Sequence, residues 1–163
     1  MEITFEHVLP RPLARVERAL LDPTFARALA DACPALAESL VLDYSVRGDL
    51  VERVTWFRAA PEFLGALFAR LPAVAWVERV RWSREEHSGR FTVAPEVPAV
   101  MARRVRCEGS YTIVPQGDTF TVRRVDVSLS VRAPLVGRAA EARLAEMLRV
   151  IFASEAALLG GAP

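Results

Sequence analysis

Three carboxylates stand at strand-like positions where a buried acidic group could carry out chemistry. Glu52 and Glu78 each share an alternation with aromatic and aliphatic residues, in the segments 50–56 and 76–82, and Asp126 lies in another alternating segment. If these alternating residues face the concave side of a sheet, Glu52 and Glu78 share that face and lie in or at the mouth of a cavity. Burial in an apolar environment raises the pKa of a carboxyl group and suits it to general acid or base catalysis. Each is therefore a candidate catalytic residue, and the alternative for each is a structural ion pair with a nearby arginine.

Large apolar residues accompany these carboxylates, and they could either line a ligand cavity or fill an ordinary core. A buried tyrosine hydroxyl needs a hydrogen-bond partner, so Tyr44 and Tyr111 could orient the polar end of a ligand. The segment 63–71 interrupts the strand pattern with apolar residues and is a candidate lid. The full set of candidate ligand-binding residues is Tyr44, Trp56, Phe63, Phe68, Trp76, Trp82, Tyr111, Met147, Leu148, Ile151 and Phe152.

The other reactive residue types form no recognisable catalytic or metal-binding motif. His7, His87, Cys33 and Cys107 have no zinc-type spacing. The sequence also lacks a G-x-S-x-G nucleophile elbow and a glycine-rich phosphate loop. We therefore expect neither a metal nor a cofactor.

Composition narrows the class of protein further. The 163 residues are 52% hydrophobic, and 21 basic residues, all arginine, balance 20 acidic ones to a net charge of +1. This balance gives no general attraction to nucleic acid, and we interpret the short arginine clusters 103–106 and 123–124 as solvated strand faces. Residues 1–9 alternate rather than forming a continuous apolar run, so we expect no signal peptide. No apolar run approaches the length of a membrane span, and we expect a cytoplasmic protein with one domain over residues 1–163. The sequence is also compatible with a homodimer.

The periodicity indicates which elements position these residues. An alternation of two predicts strands and an apolar stripe with a period near 3.6 predicts helices. The predicted strands are 3–9, 38–47, 50–58, 74–84, 91–94, 105–114 and 120–131, and the predicted helices are 13–21, 23–33, 61–71 and 135–159.

The last predicted strand contains a change of phase. Phe120 and Val122 have one parity, whereas the apolar residues from Val125 onward have the other. We predict a β-bulge at residues 123–124, which would insert one residue and bend the strand. The alternative is that Phe120 and Val122 simply face outward.

Consecutive strands joined by short connections favour one antiparallel sheet, and the long final helix must bury its apolar stripe against it. This β-α-α-β6-α order, together with the opening FEHVLPRPLARVERALLDPTFARALA, resembles the α+β helix-grip fold of the START, Bet v 1 and polyketide-cyclase (SRPBCC) superfamily. The closing segment APLVGRAAEARLAEMLRVIFASEAALL resembles the C-terminus of a small uncharacterised bacterial family within it. That family's Pro-Leu-Val-Gly start of the final helix matches residues 134–137, and Trp82 matches a tryptophan that closes a middle strand.

The resemblance implies a curved antiparallel sheet wrapped around the C-terminal helix, often with an elongated apolar cavity between them. Such folds hold lipids, sterols, polyketides or other hydrophobic small molecules, so we expect binding or transport of a molecule of this kind. One alternative is a cyclase- or aromatase-like enzyme that uses the cavity carboxylates. The other is a protein-interaction module with a fully packed interior and an exposed apolar patch near residues 63–71.

Overall fold

A computed structural model describes residues 1–65 and 73–161 of the chain, and the side chain of residue 101 is outside the description. The predicted order of elements is confirmed, with one additional short helix before the sixth strand. The elements are β1 (Glu2–Leu9), α1 (Leu13–Leu20), α2 (Phe25–Ala32), β2 (Leu36–Arg47), β3 (Leu50–Ala59), α3 (Pro61–Leu64), β4 (Ala75–Ser83), β5 (Ser88–Pro95), α4 (Ala99–Ala102), β6 (Val105–Gln116), β7 (Phe120–Val131) and α5 (Gly137–Gly160).

The described strands form one antiparallel sheet in the order β1-β7-β6-β5-β4-β3-β2. Because β1 pairs with β7, the N-terminal strand closes one edge of the sheet beside the last strand. The concave face of the sheet holds α5, as the helix-grip fold requires. Of the predicted helix at 61–71, the structure contains α3, and residues 66–72 lie outside the described part of the chain.

Bulges occur in β2 rather than in β7. The pairing of β7 is continuous with both β1 and β6, so the predicted bulge at residues 123–124 is wrong. Phe120 is exposed and Val122 faces outward, which leaves Arg123 on the concave face. In β2 the register shifts between Leu36 and Glu38 and again between Val41 and Asp43. Such shifts bend a strand, and β2 packs against α2.

The C-terminal half of α5 packs its aromatic and aliphatic side chains onto the sheet. The ring of Phe152 lies 5.0 Å from the ring of Phe5 and 6.1 Å from that of Tyr111, measured between centroids. Leu159, about two turns further along the helix, is completely buried. This aromatic contact fixes one end of α5 against β1 and β7.

A buried ion pair joins β7 to the same part of α5. Arg123 is fully buried, and its Nη2 donates to the Glu155 carboxylate while its Nη1 donates to the carbonyl oxygen of Phe152 at 3.4 Å. Its guanidinium carbon also lies 5.4 Å from the centre of the Phe152 ring. The interpretation of residues 123–124 as a solvated pair therefore holds for Arg124, which binds Asp126 at 2.9 Å on the surface, and is wrong for Arg123.

Replacing Glu155 by glutamine should destabilise the fold strongly. The substitution leaves the buried Arg123 without its counter-charge, and breaking such a pair costs about 3–5 kcal/mol. The matched control is Glu146→Gln, which removes a carboxylate from an exposed pair with Arg149 on the same helix and should change little. Urea denaturation followed by circular dichroism measures both, and equal midpoints for the two variants would contradict the anchoring role.

Candidate functional site

A cavity of about 330 Å³ lies between the concave face of the sheet and α5. It follows the helix from Ala140 to Glu155, a distance of about 22 Å at 1.5 Å per residue. Its wall is almost entirely apolar. The lining residues are Leu29, Leu36, Phe57, Val74, Ala75, Trp76, Glu78, Phe91, Val93, Pro95, Val97, Arg104, Val105, Cys107, Leu129, Val131, Ala133, Val136, Ala140, Leu144, Met147, Leu148, Ile151, Phe152 and Glu155.

The inner end of the cavity is closed by an aromatic side chain that needs a glycine beneath it. Phe91 pairs with Gly109 across β5 and β6, and a Cβ atom at residue 109 would lie 2.6 Å from the Phe91 ring. The absence of a side chain at Gly109 lets this ring lie flat on the sheet. Phe91 can then meet Phe152 of α5, with 6.3 Å between ring centroids. The two rings form the end wall of the cavity.

Glu78 is the polar group on the sheet side of this wall. It belongs to a row of paired residues that crosses the concave face, with Thr55 on one side and Val93, Cys107 and Leu129 on the other. Its remaining accessible surface faces the cavity. Within the described residues, its carboxyl group has no hydrogen-bond or ion-pair partner. A carboxyl group in this setting is available to a bound molecule.

Burial raises the pKa of Glu78 to about 7. The positive charge of Arg53 opposes this rise, Glu155 adds to it, and Arg123 opposes it. Arg53 lies diagonally across the β3–β4 pair from Glu78, and its Nη1 donates instead to the carbonyl oxygen of Leu20 at 3.0 Å. The arginine therefore moderates the pKa of Glu78 without occupying its carboxyl group.

Two other titratable groups at the inner end, Cys107 and Tyr111, keep their protons near neutral pH. Burial raises the pKa of the Cys107 thiol to about 12 and that of the Tyr111 phenol well above its usual value. Burial also raises the pKa of Glu155, although Arg123 and Arg53 oppose that shift. Of the described carboxyl groups that line the cavity, Glu78 is the one without an ion-pair partner, since Glu155 is paired with Arg123.

The expectation that Glu52 shares a face with Glu78 is wrong. Glu52 pairs across the strands with Arg81 and binds it at 2.9 Å on the convex face. The reason is the β3–β4 register, which places even-numbered residues of β3 opposite odd-numbered residues of β4. Trp56 has the parity of Glu52, and its indole nitrogen donates to Glu96 at 2.8 Å outside the cavity.

Asp126 is also on the convex face, where an ion pair occupies it. It binds Arg124 at 2.9 Å and accepts a hydrogen bond from the Thr4 hydroxyl at 2.6 Å. These two hydrogen bonds, followed by the charge of Arg124, hold its pKa below the usual value. The geometry excludes Asp126 from the cavity, so a cavity role for it is a wrong prediction.

The predicted ligand-binding residues divide between the cavity and the surrounding core. Five of them lie in the cavity wall together with Glu78: Trp76, Met147, Leu148, Ile151 and Phe152. Their contact with a ligand stays a prediction. Trp76 stacks on Phe57 with 5.7 Å between ring centroids, so its position on the wall is fixed.

The remaining aromatic candidates that the structure describes do not line this cavity. The Trp82 indole is buried and donates to Glu17 at 2.9 Å, and the Tyr44 hydroxyl donates to the Leu21 carbonyl oxygen at 2.8 Å. Tyr111 lies behind Phe91 and Phe152. Phe63 packs under the Arg143 guanidinium at 4.7 Å, outside the cavity, and Phe68 lies outside the described residues.

Sequence reasoning missed the three charged residues Arg53, Arg123 and Glu155. A signal for Glu155 was present, because it falls three residues after Phe152 and four before Leu159 on the apolar stripe of α5. Arg123 likewise has the parity of the buried residues of β7. Charged residues on apolar faces are rare unless they are paired, so these positions could have been flagged together.

No metal site or membrane helix is found in the described ranges 1–65 and 73–161. These ranges contain no group of three or more His, Cys, Asp or Glu side chains that could hold a metal ion. In the same ranges, no helix is both long enough and apolar enough to cross a bilayer.

Glu78→Gln should change how stability depends on pH. The folded protein keeps the Glu78 proton up to a pKa of about 7, whereas the ordinary pKa of this group is 4.5. The contribution of Glu78 is therefore full below pH 4.5 and is lost as the pH rises through 7. The unfolding free energy of the wild type relative to the variant should fall by about 3 kcal/mol across this window.

Urea denaturation at a series of pH values measures this difference, and the convex-face variant Glu52→Gln is the matched control. It should keep the wild-type pH profile. Parallel profiles for the wild type and Glu78→Gln would show that Glu78 titrates normally and is not desolvated.

Comparisons with known proteins agree with this architecture. The chain aligns with the Zhui aromatase/cyclase from Streptomyces sp. R1128 at 13% identity and a TM-score of 0.72, covering 99% of this chain and 92% of that one. A START superfamily protein from Mycobacterium smegmatis aligns at 13% identity and 0.66, covering 97% and 96%. Norcoclaurine synthase from Thalictrum flavum, in complex with dopamine and hydroxybenzaldehyde, aligns at 14% identity and 0.67, covering 100% and 88%.

These similarities establish the helix-grip fold of the START and Bet v 1 superfamily, and at such low identity they establish the fold alone. The search of curated proteins found no match. The family described as "Protein of unknown function (DUF2505)" matches residues 4–160, which is nearly the whole sequence. The chain is therefore a member of the DUF2505 family.

Proposed function

We propose that this chain, acting as a single START-like domain, binds or transports a hydrophobic small molecule or lipid in the cavity beneath α5. The observation that carries the proposal is an apolar cavity of about 330 Å³ whose wall holds one carboxyl group, Glu78, that has no partner among the described residues. Ligand sites are typically concave and apolar, with a few polar groups that fix the orientation of the ligand. The volumes of such sites start at about 300 Å³. The START and aromatase/cyclase relatives support this class of function.

The geometry also suggests how a ligand lies in the site. The cavity is long and narrow, and its apolar wall offers no hydrogen bond along most of its length. Glu78 lies toward the inner end, near the Phe91 and Phe152 rings. An elongated molecule would place a hydroxyl or amine group on Glu78, since leaving a buried carboxyl unpaired is unfavourable.

A protein-interaction module has less support. That function requires a packed interior, whereas the described residues leave the cavity open between sheet and helix. The apolar patch expected near residues 63–71 lies mostly outside the described part of the chain.

Filling the cavity from α5 should abolish ligand binding. Ala140→Phe places a ring inside the cavity, because Ala140 is buried and lines the wall. We expect N-phenyl-1-naphthylamine, an uncharged fluorescent probe, to bind at least about tenfold more weakly, since a loss of that size needs only roughly 1.4 kcal/mol. Fluorescence titration measures the affinity, and native mass spectrometry tests for a co-purified ligand.

The control for this experiment is Ala142→Phe. Residue 142 is exposed on the opposite side of the same helix, so the added ring should leave probe binding unchanged. Equal affinities for the two variants, or no saturable binding by the wild type, would count against the cavity as the ligand site.

A second candidate function is a cyclase- or aromatase-like enzyme, favoured by the pKa of about 7 at Glu78. A carboxyl group with this pKa can both accept and donate a proton at neutral pH. Glu78→Gln should then lower turnover of the natural ligand by about 10²- to 10⁴-fold while binding persists. Mass spectrometry of extracted ligands measures this.

In that experiment the variant should retain unreacted substrate, and the wild type should yield an isomer or a product that has lost water. Recovery of the same molecule from both proteins would rule out Glu78 as the catalytic group. It would leave the binding function intact.

A further inference from the structure

The mouth of the cavity combines exposed aliphatic side chains with arginines. We define the mouth rim as Val97, Val100, Arg103, Arg104, Arg132, Leu135, Val136 and Arg138. Of these, Val97, Arg104 and Val136 also line the cavity. Leu135 is fully exposed and Val100 is largely exposed. Solvent exposure of large aliphatic residues beside a cavity opening is typical of an interaction surface.

The two segments of the rim are held together by the backbone. The Arg132 nitrogen donates to the Arg104 carbonyl oxygen at 2.7 Å, directly after Val105 pairs with Val131. The chain then turns tightly into α5, since a Cβ atom on Gly137 would lie 2.6 Å from the Val131 carbonyl oxygen. The rim is thus one continuous surface, built at the junction of β6, β7 and α5.

Leu135 is displayed by this turn in an unusual conformation. Its φ of 69° lies in the left-handed region, which is unfavourable for a leucine. Within the chain it gains no burial in return, because its side chain is fully exposed. A partner that buries the side chain would offset both the strain and the exposure.

Charge is distributed unevenly between this rim and the rest of the chain. The segments 97–104 and 132–138 contain four arginines and no acidic residue, whereas the remaining sequence has 17 arginines and 20 acidic residues. Among the described ion pairs, none involves Arg103, Arg104, Arg132 or Arg138. Two carboxylates flank these segments, Glu96 and Glu141, and counting them with the four arginines leaves the mouth with a net charge of +2, whereas the rest of the chain has a net charge of −1.

We propose that the mouth rim docks on an anionic phospholipid surface. The arginines would bind lipid phosphates, and Leu135 and Val100 would enter the boundary between headgroups and acyl chains. Aliphatic residues beside arginines fit such a boundary better than they fit nucleic acid, which is bound through aromatic stacking and hydrogen bonds. This inference goes beyond the binding of a ligand, because it names the surface that the open cavity faces.

Vesicle co-sedimentation tests the proposal. The wild type should bind vesicles of phosphatidylcholine mixed with phosphatidylglycerol, bind phosphatidylcholine alone weakly, and lose binding at high salt. Leu135→Ser should weaken binding to the mixed vesicles about tenfold, as expected when one buried leucine is lost. The matched control is Val114→Ser, which removes an exposed aliphatic side chain near the end of β6 that is opposite the rim, and should have no effect.

The charged half of the rim is tested by Arg132→Gln with Arg138→Gln. This double variant should abolish the preference for phosphatidylglycerol, whereas Arg47→Gln with Arg90→Gln, at exposed sites elsewhere, should retain it. Equal loss in rim and control variants, or no wild-type binding to mixed vesicles, overturns the proposal. Salt-sensitive binding to polyglutamate without vesicle binding would instead assign the rim to an acidic protein.

Titration with N-phenyl-1-naphthylamine in the absence of vesicles separates this proposal from the proposed function. Leu135, Arg132 and Arg138 do not line the cavity, so these variants should bind the probe as the wild type does. Failure of probe binding with intact vesicle binding removes the ligand function alone. Failure of vesicle binding with intact probe binding removes the docking surface alone.

Discussion

Arg123 and Glu155 place opposite charges in a fully buried part of the molecule, where β7 meets the C-terminal half of α5. Their pairing determines how the helix is held, because neither charge can stay buried without the other. Phe152 reinforces the contact through the rings of Phe5, Phe91 and Tyr111. At its other end α5 is held to β7, where Gly137 packs against the Val131 carbonyl and Glu141 accepts a hydrogen bond from the Val131 nitrogen at 2.8 Å. The turns between these two attachments leave space above the sheet. The cavity occupies the space that results.

The same charges explain why Glu78 differs from the other acidic residues. Glu155 is paired with Arg123, and Glu52 and Asp126 are paired at the surface, so each has its hydrogen bonds within the protein. The positive charges of Arg53 and Arg123 lower the pKa of Glu78, yet its carboxyl group has no hydrogen-bond or ion-pair partner among the described residues. Burial dominates, and a proton remains on the group up to about neutral pH. Binding and proton transfer are both open to a group in this state.

The strands, the sheet and the final helix could be predicted because alternation and helical periodicity are local properties of the sequence. The sequence does not predict which face of a strand is buried when a long connection separates that strand from its neighbour, because the register between the two strands is then not fixed locally. The connection between β3 and β4 spans residues 60–74, and parity alone therefore placed Glu52 beside Glu78. Arg123 was misassigned for a different reason. Its counter-charge lies 32 residues away on another element, so its burial is a tertiary effect that a strand pattern cannot reveal.

The two ends of the cavity are chemically different, and this difference sets the sequence of the proposed steps, membrane docking first and ligand entry second. At the mouth, aliphatic and arginine side chains would lie on the lipid headgroups, while the inner end presents Glu78 and two aromatic rings. An amphiphile in a bilayer exposes its polar group at the surface and keeps its tail inside. A protein docked by its mouth would meet the polar group first. That group would move inward to Glu78, and the tail would follow between the apolar wall and α5 without crossing water.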